Sequence, residues 1–439
     1  MKKRTHFLLL SVLYLCLLSL VYADPVENPA ALSGVLDLRT HSFKQSPSRS
    51  LEGEWLFYPQ QLLSPTDLED PALPAPTVQH LPGYWSSSAM PAHSFATYAV
   101  TVMLPREVVD NAVVLGLRIS DSISACSVWI DNDSVFSSGV VGRTKQDEQP
   151  QFKPGNVYFT PRSASVRILI QVSNHNYRVG GIWAIPRISI ASVAASEWSG
   201  STGLDLFLLG ALLIMVVNQS ALFISRRKER SALWFACLCL FIALRIVVTG
   251  NCLLTQWIPT FSWEIARKFE FLPICLGPVF FALFIHELFP DCMKSPLRKG
   301  VYFVGLFFAL LVLALPAVFS SYLVIPMEIY LALVIVWLVT ILCRARIQRL
   351  DGSGWLLVGY ASLALTVIND ILFSQLLIRT VYLLSFGFFC FIGSQVILLA
   401  RTLTHGFNRS EEIALELETT NKSFGRFVPT QFLKLLNRD

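Results

Sequence analysis

Four ionisable residues stand inside long apolar runs: Arg245, Glu270, Glu328 and Asp370. A charge in lipid costs several kcal/mol unless it is paired or hydrated, so such residues need a physical reason. Two readings follow. The four form a polar pocket or switch, or they form a fixed ion-pair network that only holds helices together. Arg267, Lys268 and Asn369 lie close to them in sequence. Arg245 is expected to pair with Asp370 or Glu270, because an unpaired partner at that depth is expensive.

A second set belongs to the polar first half of the chain. Tyr84, Trp85, Tyr177 and Trp183, with Arg178 beside them, offer flat apolar faces and a planar cation. Such faces suit stacking on sugar rings. They equally suit a sandwich core or its rim, and Trp55 and Trp129 are read as core outright. Chemistry beyond binding finds no support. No pair of carboxylates stands out for glycoside hydrolysis, and no Gly-rich phosphate loop or metal-ligand spacing appears. The nine cysteines contain no CxxC pair, and only Cys126 lies in the polar half behind the leader. We expect no catalytic residues, no cofactor and no metal. A formal charge of +5 without a basic stripe argues against nucleic acid.

What must position these residues? The 439 residues are 53% apolar and 15% charged, against about 25% charged in soluble domains. The imbalance starts near Ser199. Residues 1–23 read as a signal peptide: Lys2, Lys3 and Arg4, an apolar stretch, then Val21-Tyr22-Ala23. Residues 24–199 alternate with period two. Tyr98, Val100, Val102 and Leu104 share one face, as do Val113, Leu115, Leu117 and Ile119, and Val166, Ile168, Ile170 and Val172. Turn residues such as Asp131-Asn132-Asp133-Ser134 and Gly180-Gly181 separate the runs, and no helical segment competes. The expectation is an all-β jelly-roll or sandwich domain.

Seven apolar runs follow, near 204–225, 231–249, 265–289, 301–319, 322–343, 354–377 and 381–402. Each approaches the roughly 20 residues that cross a bilayer. Basic residues cluster after the odd-numbered runs: Arg226, Arg227, Lys228 and Arg230; Lys294, Arg298 and Lys299; Arg344, Arg346 and Arg349; Arg401 and Arg409. Residues 251–262 and 316–325 contain no Lys or Arg, and only Arg379 marks the last short loop on that side. By the positive-inside rule the β domain lies outside the inner membrane and the C-terminus in the cytoplasm. A transporter or channel is the rival reading. It would favour internal repeats and broken helices, and Pro273, Gly277 and Gly359 interrupt two runs, yet no repeat is visible.

Residues 404–439 are polar and helix-prone. Ile413, Leu417, Thr420 and Phe424 follow 4-3-4 spacing, compatible with a short parallel coiled coil and hence a homodimer, or with a lone amphipathic helix.

Three resemblances sharpen this reading. Leu51-Glu52-Gly53-Glu54-Trp55, Leu81-Pro82-Gly83-Tyr84-Trp85 and Val128-Trp129-Ile130-Asp131-Asn132 resemble the jelly-roll sugar-binding modules found beside glycosidases. Asn174 with Arg178-Val179-Gly180-Gly181, Leu244-Arg245-Ile246-Val247 and Leu288-Phe289-Pro290 resemble the bacterial seven-transmembrane receptors with diverse intracellular signalling modules. The run from Phe424-Gly425-Arg426-Phe427-Val428-Pro429 to Leu436 resembles the junction that precedes a class III adenylate or guanylate cyclase domain in that family. These resemblances imply a receptor with an extracytoplasmic ligand, a saccharide or other small molecule. Its output is a cytoplasmic module such as a cyclase, expected beyond residue 439.

Overall fold

The computed structural model describes residues 30–85, 90–120, 124–378, 380 and 382–427, with some side chains beyond 398 left out. The predicted signal peptide and the segment around Pro429 lie outside the described residues.

Alternating burial builds the β domain. In β6 (Ser94–Met103) Tyr98, Val100 and Val102 are at most 1% exposed. β11 (Ser165–Asn174) pairs antiparallel with it along its whole length. Around this pair a seven-stranded sheet forms, in the order β4 (Thr77–Leu81), β3 (Gly53–Pro59), β6, β11, β8 (Ala125–Ile130), β9 (Asp133–Ser138), with β1 (Val35–Asp37) parallel to the end of β6. The facing four-stranded sheet runs β10 (Gly155–Phe159), β7 (Leu115–Ile119), β13 (Arg187–Ile190), β2 (Ser48–Ser50). A two-stranded piece joins β5 (Gly83–Trp85) to β12 (Gly180–Ile182). Trp55, Tyr98, Leu115, Leu117, Val166 and Ile168 fill the space between the sheets. The jelly-roll or sandwich expectation holds.

Some details differ from the sequence reading. Trp129 is half-buried and packs near Tyr58, Leu63, Ala99 and Leu169, apart from the main core. A short helix, Arg106–Asp110, interrupts the all-β stretch. The first long helix, α1 (Ala191–Ser225), begins directly after β13 rather than near residue 204.

α2 (Arg230–Val248), α3 (Trp263–Leu288), α4 (Ser295–Ala314), α5 (Val324–Ile347) and α6 (Ser353–Ser374) follow. With α1 they are the six helices, among the described residues, long and apolar enough to span a membrane. α7 (Leu384–Phe427) carries a shorter apolar stretch, Leu384–Leu398, and continues unbroken through Gly406 into the polar tail. Pro316 ends the predicted fourth run early, and Ala317–Tyr322 forms a separate short helix.

The chain divides into two compact units. One comprises the β domain, α1 to α4, α5 as far as Leu338, and Ile371–Val381. The other comprises Val339–Asp370 and the chain from Tyr382. In the second unit α6 and α7 approach closely. A Cβ on Gly359 would come within 2.0 Å of Ser394 Oγ, and one on Gly387 within 1.9 Å of Thr366 Oγ1. Small residues that let backbones meet are the usual adhesive where no hydrophobic drive separates helix from lipid.

Candidate functional site: the joint between the β domain and the helices

A turn, a loop and one helix end build the joint. β11 ends at Asn174, whose side chain is 1% exposed and ties the following turn to the segment before β6. Its Nδ2 donates to the carbonyls of Ala92 (2.8 Å), Tyr177 (2.8 Å) and Val179 (2.9 Å), and its Oδ1 accepts from the Tyr177 amide (3.1 Å). A buried amide so satisfied fixes the turn's shape. The turn thrusts Tyr177 and Arg178 toward the helices.

What Tyr177 meets is Arg267, on the first turns of α3. The Arg267 guanidinium lies 3.7 Å from the Phe152 ring centroid, 4.8 Å from Tyr177 and 5.3 Å from Trp263. Phe152 and Tyr177 come from the β domain, Trp263 from α3. Arg267 is 5% exposed, and its Nη1 is 2.8 Å from Glu270 Oε2. A guanidinium is weakly hydrated and planar, which lets it stack on rings and hold a carboxylate at once. Phe152–Trp263 and Tyr177–Phe271 ring contacts at 6.3 and 6.4 Å close the cluster.

Polar contacts surround this cage. The Arg178 amide donates to Ser321 Oγ at 3.0 Å, and the Tyr84 hydroxyl donates to the Ser374 carbonyl at 2.9 Å. Burial pushes the Tyr84 and Tyr177 phenols up to about 12, so both stay neutral donors. Gln151 Nε2 donates to the Pro259 carbonyl at 3.2 Å. At the base of α1, Arg118 of β7 lies 5.5 Å from the Trp198 ring and 3.4 Å from Asn251 Oδ1. Asn156 Nδ2 donates to the Ala194 carbonyl at 2.9 Å.

The residues singled out from sequence fall into distinct places. Tyr84, Tyr177 and Arg178 sit in the joint, and Trp183 packs against the same cluster. Trp85 is 2% exposed in the sandwich core, its indole donating to the Tyr98 hydroxyl. Arg245 meets Glu270 through the latter's main-chain carbonyl, at 2.8 Å, while the Glu270 carboxylate is taken by Arg267. Glu328 accepts from Gln375 Nε2 at 2.8 Å and feels the charges of Arg178 and Arg245. Asp370, in the other unit, accepts from the amides of Leu383 (2.8 Å) and Leu384 (3.0 Å) at the start of α7. That is where a helix favours an anion. Ile413 and Leu417 are 56% and 62% exposed on α7, and Thr420 is exposed too. The Phe424 side chain lies outside the described ones.

Phe152 and Trp263 were not singled out by sequence, and Arg267 was noted only as a neighbour of Glu270. The one signal available was a cation three residues before a carboxylate at the start of an apolar run, the spacing of a helical pair.

A β sandwich seated on a bundle of membrane helices defines a multi-pass membrane protein with a folded domain at its surface, in which a sensor can be built. The comparisons make this specific. Residues 201–402, a little under half of the chain, match the family described as 7TM diverse intracellular signalling, so its helical part is similar to the membrane domain of that family. No curated protein matches the chain. Among solved structures, it is similar to a GH2 beta-galacturonidase from Eisenbergiella tayi bound to galacturonate, at 15% identity and TM-score 0.24, over 33% of this chain and 24% of that one. A b-glucuronidase from Ruminococcus gnavus in complex with D-glucuronic acid matches at 14% identity and TM-score 0.24, over 33% and 29%. This chain thus spans under a third of either enzyme's length.

Proposed function

We propose that this protein is an inner-membrane receptor whose β domain faces outward, and that the state of the joint around Arg267 is what it transmits. The carrying observation is that one buried guanidinium is shared between rings of the β domain and a carboxylate of α3. Separating the two parts strips the cation of its rings, so the joint has a closed state with a defined stabilisation. A ligand can shift such an equilibrium only by binding its two states unequally.

A saccharide or similar small molecule is the proposed ligand, supported by the resemblance of Leu81-Pro82-Gly83-Tyr84-Trp85 to sugar-binding modules. Tyr84, Tyr177 and Trp183 serve the joint, so a ligand stacking on them would compete with the helices for the same faces. Loop charges after α1, α3 and α5 support the orientation. The output is proposed to be a class III nucleotide cyclase module. It is reached through a homodimeric seam on Ile413, Leu417, Thr420 and Phe424.

The test is a fusion of residues 1–439 to a class III catalytic domain, assayed in membranes. Activity should change when Arg267→Met opens the joint. It should change again when two residues are inserted after Thr420, which turns the output by about 200°. Equal activity in all three proteins would sink the reading. A phosphatase reporter active only outside should work when fused after Ser199 and fail after Arg349; the reverse pattern would overturn the orientation.

A further inference from the structure

Beside the joint, the β domain buries a carboxyl group that the receptor reading does not use. Glu148 is 5% exposed and closes the loop that runs from Val140 to Gln149, where those two residues pair. One of its oxygens accepts from Ser124 Oγ. The other has no hydrogen-bond partner of standard geometry and lies 4.0 Å from His175 Nε2. That same Nε2 is 3.2 Å from the Gly142 carbonyl, so it carries a proton and donates there. The Gly142 amide in turn donates to Ser173 Oγ at 3.2 Å. His175 opens the turn that Asn174 braces and that carries Tyr177 and Arg178 into the joint.

We propose that Glu148 is a proton-binding site and that external pH is an input to this receptor, read through the Asn174–Val179 turn. This rests on the joint reading above. The two states share one imidazole. With Glu148 neutral, His175 donates to the Gly142 carbonyl and the turn keeps the shape that seats Tyr177 on Arg267. With Glu148 ionised, a buried anion faces the same ring proton, and His175 is drawn from Gly142 toward the carboxylate. The turn is then pulled at His175.

Other charges around the site are few. Lys145 comes from the same loop, His175 from the turn, and His93 from the segment before β6, where its Nε2 is 3.2 Å from the Tyr322 hydroxyl of the short helix before α5. Burial outweighs the stabilising groups (Asn176, the His175 backbone, Ser173 and Lys145) and holds the Glu148 carboxyl up to about 7. The folded value exceeds the ordinary one, so the fold favours the protonated form. Its stabilisation is complete in acid and is lost as pH rises from the ordinary carboxyl range through about 7.

Two amides report the outcome: Tyr177, bonded to Asn174, and Arg178, bonded to Ser321. The experiment measures their hydrogen-exchange protection factors in the full chain in lipid nanodiscs, between pH about 5 and about 8. Protection should fall about tenfold, with a midpoint near 7. The step should vanish in Glu148→Gln, which keeps the acid-state protection at every pH. An infrared titration should show one carboxyl band, lost in that variant, disappearing with the same midpoint. The proposal is overturned if wild-type protection is independent of pH. It is also overturned if Glu148→Gln keeps the midpoint while His175→Gln removes it. Neither result touches the Arg267 joint, which the same amides test at constant pH through Arg267→Met.

Discussion

Replacing Arg267 by Met keeps the side chain's bulk and removes its charge, and the structure sets the size of the effect. The Arg267–Glu270 pair lies within α3 and does not cross the joint, so it persists when the joint opens. What opening loses is the stacking on the β-domain rings, closest at Phe152, worth up to about 2 kcal/mol where the cation is desolvated. Met packs against the same rings and returns some of it. About 1.4 kcal/mol should remain, which is about tenfold in an opening equilibrium. The Arg178 amide reports that opening, because its acceptor, Ser321 Oγ, belongs to the helices. Its exchange in nanodiscs at fixed pH should quicken about tenfold in Arg267→Met. Arg267→Lys should fall between, since an ammonium keeps a cation beside the rings but loses the planar stack. Unchanged Arg178 exchange in Arg267→Met, or strict additivity with Phe152→Leu, would refute the shared-cation argument.

Asn174→Leu orphans several buried groups at once and should cost about 2–4 kcal/mol, read as a fall in the domain's denaturation midpoint with Tyr177 exchange rising in step. Gly359→Leu drives a side chain into Ser394; reduced folded yield is expected, while Gly393→Leu, whose Cβ would meet nothing within 4 Å, should leave yield unchanged. Asp370→Ala removes the acceptor at the start of α7 and should lower thermal stability by about 1–2 kcal/mol, whereas Asp370→Asn should lose less.

Much of the architecture was readable because it follows from local periodicity. Tyr98, Val100 and Val102 alternate because one face meets water or a cover and the other meets the core, and the structure buries them. The apolar runs likewise announce the helices. The start of α1 escaped notice because residues 191–203 are too polar to look membrane-spanning. They are helical because they pack on the sheet, with Ala194 against Gly116 and Asn156. The joint was harder to read for a different reason. A turn with exposed-looking aromatics says that something will stack on it, and for Tyr177 and Tyr84 the sequence leaves open a sugar ring, the sandwich core or its rim. Their partners are on α3, in the short helix before α5 and after α6, far away in sequence, and no local pattern encodes that distance. Arg245 shows the same limit at finer scale: Glu270 was a foreseeable neighbour, yet whether its carbonyl or its carboxylate is engaged depends on Arg267.

The direct passage from β13 into α1, with no intervening linker, bears on kinematics. A body tethered by a flexible strap can tumble, and its six degrees of freedom blur any message. Here one attachment is a continuous backbone stiffened by Arg118, Asn156 and Ala194, and the other is a set of non-covalent contacts around Arg267. A rigid plate welded along one edge and latched along the other keeps essentially one motion, a swing about the weld. On the receptor reading proposed above, whatever loads the β domain would reach the helices as a single coordinate: how far the latch at Arg267 stands open.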